Sequence, residues 1–385
     1  MKIPGFIIFF SIVLTVYGLL NYYIFVRGWQ AIPRGSAVRT YYLIVFLFVA
    51  LTFFLGRFLE GHLPLIITNS FIWIGSFWLG AMLYFFLIIV ALDLLRLINL
   101  FLLIFPSFVN RNYGLVKQIV ASSSMAFVVA VLVIGFFNAR NPRVKTLSLS
   151  IPKNAGSLKT LNIVSVSDIH LGTIVGRARL DQIVDKVNSL KPDIILLPGD
   201  IVDEDLKPVI RQNLGEALRN IKAPLGVYAI TGNHEYIGGV ESACKYLEAH
   251  GIAMLRDSTV KISNGFYIVG REDREKGRFT GQNRKPLPEL LTGIDKSLPV
   301  ILLDHQPIGL NQAVESGIDL QISGHTHYGQ LWPLGHITDL IYEVSWGYKR
   351  IGQTNIYVSS GAGTWGPPCR LGNTPEIVNI KISFE

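Results

Sequence analysis

Four long apolar runs dominate the first 137 residues and constrain the fold more than any other feature of the chain. They cover residues 3–26, 41–56, 71–95 and 118–137. An α-helix needs about 20 consecutive apolar residues to cross the hydrocarbon core of a bilayer. A cleaved signal peptide explains only the first run, which lacks a convincing small-residue cleavage site. The sequence therefore predicts an all-α transmembrane domain of about four helices over residues 1–137.

The positive charge of the chain is concentrated in this segment. The whole chain has 35 Lys and Arg against 27 Asp and Glu. Residues 1–137 hold eight of these basic residues and two of the acidic ones, which leaves 27 basic and 25 acidic residues for the rest. The rest also has no basic run interleaved with aromatic residues. No nucleic-acid partner is therefore expected.

A small difference in the number of basic residues between the loops predicts on which side of the membrane the C-terminal domain lies. One pair of loops carries six basic residues and the other side carries five, and the positive-inside rule then favours an extracytoplasmic C-terminal domain by one charge. The two sets are Arg27, Arg34, Arg39, Arg96, Arg111 and Lys117, against Lys2, Arg57, Arg140, Arg143 and Lys145. Cys244 and Cys369 do not decide the compartment, because they are as readily two free thiols as one disulfide.

Two ionisable residues, Asp93 and Arg96, lie near the end of the third apolar run. Their spacing allows contact on one helix face. A lipid or ligand site is one interpretation, but we favour a structural pair, since Arg96 can extend its charge to the membrane interface. The apolar segment 97–105 either lies in the interface plane or extends the third helix.

Beyond a predicted polar linker at residues 138–158, apolar β-branched runs alternate with amphipathic ones, which predicts βαβ units in an α/β domain over residues 159–385. The expected helices are 177–189, 207–220 and 239–250. The expected strands are 161–167, 193–197, 226–231, 259–269, 299–303, 318–322 and 355–359.

Short polar motifs follow directly on these apolar runs, and they contain five of the eight histidines. Loops at strand ends are where α/β proteins collect functional groups. Two Asp, one Asn and several His, without Cys, form an oxygen and imidazole set that suits Mn, Fe, Zn or Co. A single such motif is weak, but the ordered set predicts a metal site. The motifs are Asp168-x-His170, Gly199-Asp200, Gly232-Asn233-His234-Glu235, the lone His305, and Gly324-His325-Thr326-His327.

The ordered series D-x-H, G-D-x-x-D, G-N-H-[DE], H and G-H-x-H resembles the calcineurin-like metallophosphoesterase superfamily. The segment 358–377 is similar to the C-terminal strand pair of the YkuE-like and YaeI-like members. The resemblance implies a four-layer αββα sandwich, two mixed sheets with helices outside, and a site that holds two divalent ions. The implied ligands are Asp168, His170 and His327 for the first ion, Asn233, His305 and His325 for the second, and Asp200 as the bridge.

The resemblance also implies a mechanism, in which a hydroxide bridging the two ions attacks phosphorus. His234, a histidine that is not a ligand, lies next to the scissile phosphate and is suited to protonate the leaving group. Glu235 is expected to orient His234, and Asp203 to orient a ligand.

Four further residues stand out beside these motifs. Tyr328 occupies a position where the YkuE-like group commonly has Gly, which reshapes the mouth of the site. Arg271 or Arg274 is expected to contact a substrate anion, and His336 is close enough in sequence to the last motif to reach the substrate.

These observations predict a membrane-anchored phosphoesterase that hydrolyses a phosphodiester or pyrophosphate bond of a lipid-linked substrate. Tethering a domain at the bilayer raises the effective concentration of whatever lies there. Two alternatives remain open. One is a membrane-tethered phosphomonoesterase or protein phosphatase, and the other is a metal-binding regulatory or sensor module attached to a membrane domain.

Overall fold

The computed structural model describes residues 3–59, 62–263 and 265–385, so Lys2 of the charge comparison lies outside the described residues. The chain divides into two compact units. The helical unit comprises Met1–Phe136 and Gly366–Cys369. The α/β unit comprises Phe137–Trp365 and Arg370–Glu385.

The helical unit contains four helices that are long and apolar enough to cross a membrane. Each extends past the apolar run that predicted it, because polar residues at the run ends continue the helical backbone. The helix α3 has 38 residues and is therefore about 57 Å long at a rise of 1.5 Å per residue. The helices are α1 Ile3–Ala31, α2 Val38–Phe58, α3 Leu65–Leu102, the short α4 Ser107–Arg111, and α5 Tyr113–Ala139.

Asp93 joins α3 to α1 within the helical unit. Its carboxylate accepts hydrogen bonds from Arg27 at 2.5 Å, Tyr23 at 2.6 Å and Arg96 at 3.0 Å. The carboxylate is thus neutralised by residues of its own unit, which supports the structural interpretation of the Asp93–Arg96 pair. Since α3 continues to Leu102, most of the segment 97–105 extends the third helix.

The α/β unit is built on two six-stranded sheets. The first sheet has the order β1-β12-β2-β3-β4-β5 and the second has the order β10-β11-β9-β8-β7-β6. The first contains β1 Arg143–Ile151, β2 Thr160–Ser165, β3 Ile194–Pro198, β4 Val227–Ile230, β5 Ala253–Met254 and β12 Glu376–Phe384. The second contains β6 Ser258–Ile262, β7 Phe266–Gly270, β8 Val300–Leu303, β9 Leu320–Ser323, β10 Gly347–Ile351 and β11 Thr354–Val358.

Both sheets are mixed and are packed in four layers, which confirms the predicted αββα class. Buried Ile163 and Ile194 of the first sheet share a core with Ile268 and Ile301 of the second. Separate cores lie between each sheet and its outer helices. The helices are α6 Arg177–Ser189, α7 Leu206–Arg211, α8 Leu214–Leu218, α9 Asn233–Gly238, α10 Val240–Ala249, α11 Lys276–Thr280, α12 Leu287–Leu290, α13 Asn311–Ser316 and α14 Leu334–Ile341.

Three predicted elements differ from those in the structure. The linker 138–158 contains β1, which pairs in parallel with β12 along all nine of its residues. The single strand expected at 259–269 is the antiparallel hairpin β6–β7. The helix expected at 207–220 is interrupted, since Asn213 has a left-handed φ of 50° and separates α7 from α8. A left-handed residue cannot continue a right-handed helix.

The strand ends position the polar motifs. β2, β3 and β4 run parallel to one another in the first sheet, and β8 and β9 do so in the second. The carboxyl ends of parallel neighbours lie at the same edge of a sheet. The motif residues follow those ends, so the fold gathers side chains that are more than 150 residues apart, as the hydrogen bond from His325 N to Asp168 shows.

Candidate metal centre

The predicted ligands lie on sharp turns of the backbone. Five of the seven have a left-handed φ: Asp168, His170 and Asp200 at 52°, His325 at 73° and His327 at 47°. For residues with a side chain this conformation costs about 1–2 kcal/mol each. Such strain persists only where the surroundings over-determine it, and it concentrates at functional sites. The turns aim the side chains into one buried space at the strand ends.

Two glycines allow the backbone loops to approach the carboxylates closely. A Cβ at Gly232 would lie 2.1 Å from Asp200 Oδ1, and a Cβ at Gly324 would lie 2.2 Å from Asp168 Oδ2. Both distances are far inside van der Waals contact, so no residue with a side chain fits at either position without moving a carboxylate. The Gly of each motif is therefore a steric requirement of the site.

The first group of ligand atoms comes from Asp168, His170 and His327. Their ligand atoms lie within 4.8 Å of one another. His170 Nε2 is 3.0 Å from His327 Nε2, which is 3.6 Å from Asp168 Oδ1. Asp168 and His170 are essentially inaccessible to solvent. The three side chains therefore bring two ring nitrogens and a carboxylate oxygen close enough together to bind a single ion.

The second group comes from Asn233, His305 and His325. Asn233 Oδ1 is 2.8 Å from His325 Nδ1 and 3.3 Å from His305 Nε2. The other ring nitrogen of His305 donates to Pro198 O at 2.7 Å. That hydrogen bond fixes the ring orientation and directs Nε2 toward Asn233 and Asp200, which is the usual arrangement of a metal-binding histidine.

Asp200 stands between the two groups. Its Oδ2 is 3.1 Å from His305 Nε2 of the second group and 3.8 Å from His170 Nε2 of the first. Burial alone would raise the pKa of Asp200, but His305, His234 and His170 hold it well below its usual value. Asp200 is therefore ionised and suitably placed to share its carboxylate between two cations.

The burial and protonation of the candidate ligands suit the binding of two divalent ions. Among the described residues, Asp168 Oδ2 is a buried carboxylate oxygen with no hydrogen-bond partner. Burying an anionic oxygen unpaired is costly, and a coordinated cation removes that cost. Burial, together with the charge of His305, also lowers the pKa of His325 to about 3, so its ring is neutral and able to ligate near neutral pH. Oxygen and imidazole donors without thiolate match Mn, Fe or Zn.

His234 lies beside the first group and contacts Asp203. His234 Nδ1 is 3.1 Å from Asp203 Oδ1, and the His234 ring is 4.5 Å from the His170 ring, centroid to centroid. Burial would lower the pKa of His234, but Asp200, Asp203 and Glu204 outweigh it and raise the pKa to about 9. Asp203 also lies 3.6 Å from His170 Nδ1. One carboxylate thus orients both a ligand candidate and the proton donor candidate.

Glu235 does not orient His234, so that expectation is wrong. Its buried carboxylate accepts four backbone N–H groups, from Gly232 at 2.7 Å, Asp200 at 3.1 Å, Ile201 at 2.8 Å and Val202 at 2.9 Å. The side chain therefore fixes the loop that carries Asp200 and the start of the loop that carries Asn233.

Arg370 is a site residue that sequence reasoning missed. It is 0% exposed, and its guanidinium lies 3.0 Å from His327 Nδ1 while donating to Gly363 O at 2.8 Å. Burial lowers the pKa of Arg370 to about 10, so the side chain remains charged at neutral pH. It is 43 residues from His327 in sequence, and only its position in the C-terminal tail pointed to it.

The remaining predicted residues have other surroundings. Arg271 is buried and paired with Asp304 at 3.0 Å, and Arg274 donates to the backbone carbonyl of Ile308. Asp304 also pairs with Arg284 at 2.7 Å, so Arg271 is held in a buried ion cluster, and its expected contact with a substrate anion stays a prediction. His336 is exposed on α14. Both cysteines, Cys244 and Cys369, are free and buried.

Tyr328 has a left-handed φ of 46°, the conformation that the expected Gly would adopt without strain. Its hydroxyl lies 3.2 Å from Asp339 Oδ2, and its ring centroid lies 5.2 Å from that of Trp346. Tyr328 thus connects the last ligand loop to α14 and to the segment that follows it.

Several known proteins are similar to this chain in sequence. Residues 161–329 match the family model described as calcineurin-like phosphoesterase. A zebrafish "transmembrane protein with metallophosphoesterase domain" is 35% identical over 69% of this chain, although the match spans only 65% of that relative's length. An uncharacterized metallophosphoesterase of Aquifex aeolicus is 35% identical over 58% of this chain and 85% of its own length. The YkuE metallophosphoesterase of Bacillus subtilis is 30% identical over 57% of this chain and 78% of its own. The chain therefore belongs to the calcineurin-like metallophosphoesterases, a family of metal-dependent hydrolases of phosphoester bonds.

Proposed function

We propose that this chain is a membrane-anchored phosphoesterase that uses two divalent ions. Asp168, His170 and His327 would hold the first ion, Asn233, His305 and His325 would hold the second, and Asp200 would contribute to both. The observation that carries the proposal is the position of Asp200 Oδ2, 3.1 Å and 3.8 Å from one histidine nitrogen of each ligand group. A carboxylate between two ligand groups is the arrangement that binds a pair of ions.

The two ions, when bound, would supply a nucleophile at neutral pH and neutralise the charge of the phosphoryl oxygens. The protein's own groups do the rest. His234, whose pKa is raised to about 9, holds a proton and gives it to the leaving oxygen. Asp203 lies 3.1 Å from His234 Nδ1 and sets the orientation of the ring, so that Nε2 is on the side of the ring away from Asp203. Trp365, whose ring centroid lies 5.7 Å from that of His234, shields that ring on one side.

We propose further that the substrate is a phosphodiester or pyrophosphate of a lipid-linked molecule. Helix α5 ends at Ala139 and β1 begins at Arg143, so only three residues separate a candidate membrane span from the first strand of the α/β unit. A tether this short keeps the site near the bilayer surface, where its effective concentration toward lipid headgroups is high.

The test is hydrolysis of a chromogenic phosphodiester and of a phosphomonoester by the full chain in detergent, with Mn, Zn or Mg added. Asp200→Asn is expected to lose metal and activity together. His234→Ala is expected to keep its metal and lose activity on esters with a poor leaving group by about 10²–10⁴-fold. The control is Asp185→Asn, which removes an exposed carboxylate on α6.

The outcomes separate the competing functions. Turnover of a lipid diester supports the proposal, whereas turnover of a phosphopeptide alone would support a protein phosphatase. A wild-type protein that binds two ions and hydrolyses none of these substrates would refute an enzymatic role and favour a metal-binding regulatory module.

A further inference from the structure

Helix α14 exposes an apolar face next to the metal centre. Its residues Ile337, Leu340 and Ile341 are 51%, 87% and 65% exposed. Their spacing places them on one side of the helix. Leu340 has the greatest exposure of all large apolar side chains in the described part of the chain. Globular units rarely leave such a face in water unless something covers it. Ile337, Leu340 and Ile341 are called the α14 face below.

Helix α14 and the residues after it contact the loop that carries the ligand candidates His325 and His327. Tyr328, directly after His327, lies 3.2 Å from Asp339 on α14 through its hydroxyl. Thr326 Oγ1 donates to Ser345 O at 2.6 Å, just beyond the helix. The ring centroid of Tyr342, which caps α14, lies 6.2 Å from that of His325. Whatever contacts the α14 face is therefore held close to the mouth of the metal centre.

The surroundings of α14 match the chemistry of a membrane interface. Trp332 precedes the helix and is 56% exposed, and Trp346 follows it and is 37% exposed. Tryptophan concentrates at the level of lipid headgroups, because its ring is apolar and its N–H is polar. A helix with one apolar face and flanking aromatics lies in the interface plane with that face in the acyl region. The three-residue connection to α5 keeps this unit near a bilayer.

We infer that the α14 face inserts into the bilayer interface and brings the metal centre to lipid headgroups. This inference deepens the proposed function, on which its kinetic test rests, by assigning substrate access to the lipid surface. Insertion does not itself require catalysis, so a direct measurement is possible. The occupant of the face is lipid, and contact with a second copy of the chain is an outcome that the experiment distinguishes.

The direct measurement places a nitroxide at Leu340→Cys in the full chain, reconstituted in phosphatidylglycerol and phosphatidylcholine nanodiscs, with Cys244→Ala and Cys369→Ala to remove the buried thiols. The expected result is that oxygen relaxes the label more than a water-soluble nickel chelate does. A label at Ile341→Cys repeats the test if the first protein is poorly folded. The control label at Lys222→Cys lies on an exposed loop before β4, at the opposite end of the strand from the metal centre. The nickel chelate should relax this label more than oxygen does.

A Leu340 label as accessible to the nickel chelate as the Lys222 label overturns the inference. Dipolar broadening between labels also overturns it, because it means that a second copy covers the face.

The kinetic measurement uses Ile337→Ser, Leu340→Ser and Ile341→Ser combined. The expected result is a KM for a long-chain phospholipid substrate that rises roughly ten-fold, a factor that corresponds to about 1.4 kcal/mol, with unchanged turnover of a soluble chromogenic ester. The control Ile210→Ser removes an apolar side chain that is 54% exposed on α7 and should change neither. An unchanged KM refutes the inference, whereas a wild type inactive on both substrates refutes only the proposed function.

Discussion

Replacing Asp203 by Asn tests the role of the His234–Asp203 contact most directly. Asn preserves the size of the side chain and removes the charge that lies 3.1 Å from His234 Nδ1. His234 is 4% exposed, so solvent screens this interaction little. Asp203 is not a proposed ligand but lies 3.6 Å from His170 Nδ1, so we expect weaker metal binding in the variant. At saturating metal we expect it to lose activity in a manner that depends on pH.

The size of the effect follows from the pKa of His234. Asp200, Asp203 and Glu204 together raise it from 6.5 to about 9 against the opposing effect of burial. A hydrogen bond to a charged partner is worth about 2 kcal/mol, so losing it lowers the pKa by about 1.5. The alkaline limb of the activity profile should therefore move by about 1.5 pH units toward lower pH, so the loss of activity is large above the pKa of His234 in the variant and small well below it.

The assay is the pH profile of kcat/KM for two esters, one with an alkyl leaving group and one with a nitrophenyl leaving group. Because bound ions act alike on both proteins, the measured quantity is the separation of the two alkaline limbs along the pH axis. The nitrophenyl ester needs no proton donor and serves as the control. A loss that is the same at every pH, or equal for both esters, would refute the role of His234 as a proton donor positioned by Asp203.

Three further predictions concern the groups that support the centre. Glu235→Gln places an amide donor against four N–H groups. We expect the variant to lose about 2–4 kcal/mol of stability, measured by thermal unfolding, and much of its bound metal, measured by elemental analysis. Full metal occupancy would contradict this. Arg370→Lys should weaken the first ion about 10–100-fold and leave the second nearly unchanged, which a competitive metal titration checks. Chelation of both ions should lower the Tm by roughly 20 °C. Saturating ligand adds about 4 kcal/mol per site, and each kcal/mol shifts the Tm of a unit of this size by about 2–4 °C. Asp200→Asn should abolish this difference.

Much of the fold was predictable because its determinants are local. The four apolar runs correspond to helices of sufficient length to span a membrane. The helix predicted at 177–189 is α6, Arg177–Ser189, since its apolar positions repeat with helical period. The errors fall where tertiary contacts override local pattern. The alternation of Leu147, Leu149 and Ile151 is compatible with a strand, but only pairing with the distant β12 makes residues 143–151 of the predicted linker part of a sheet.

The sequence by itself identified the candidate metal ligands. Its ordered motifs named seven of them, and the structure brings six into two adjacent groups with Asp200 between them. Only the tertiary structure decided which groups support them. Neighbours in sequence suggested that Glu235 orients His234, but the carboxylate that contacts His234 is Asp203, 31 positions earlier, on a different strand end. Arg370 against His327 and the exposed face of α14 likewise depend on which distant segments meet. Sequence patterns report the intrinsic preference of a segment, whereas contacts between segments arise from packing, which no single segment encodes.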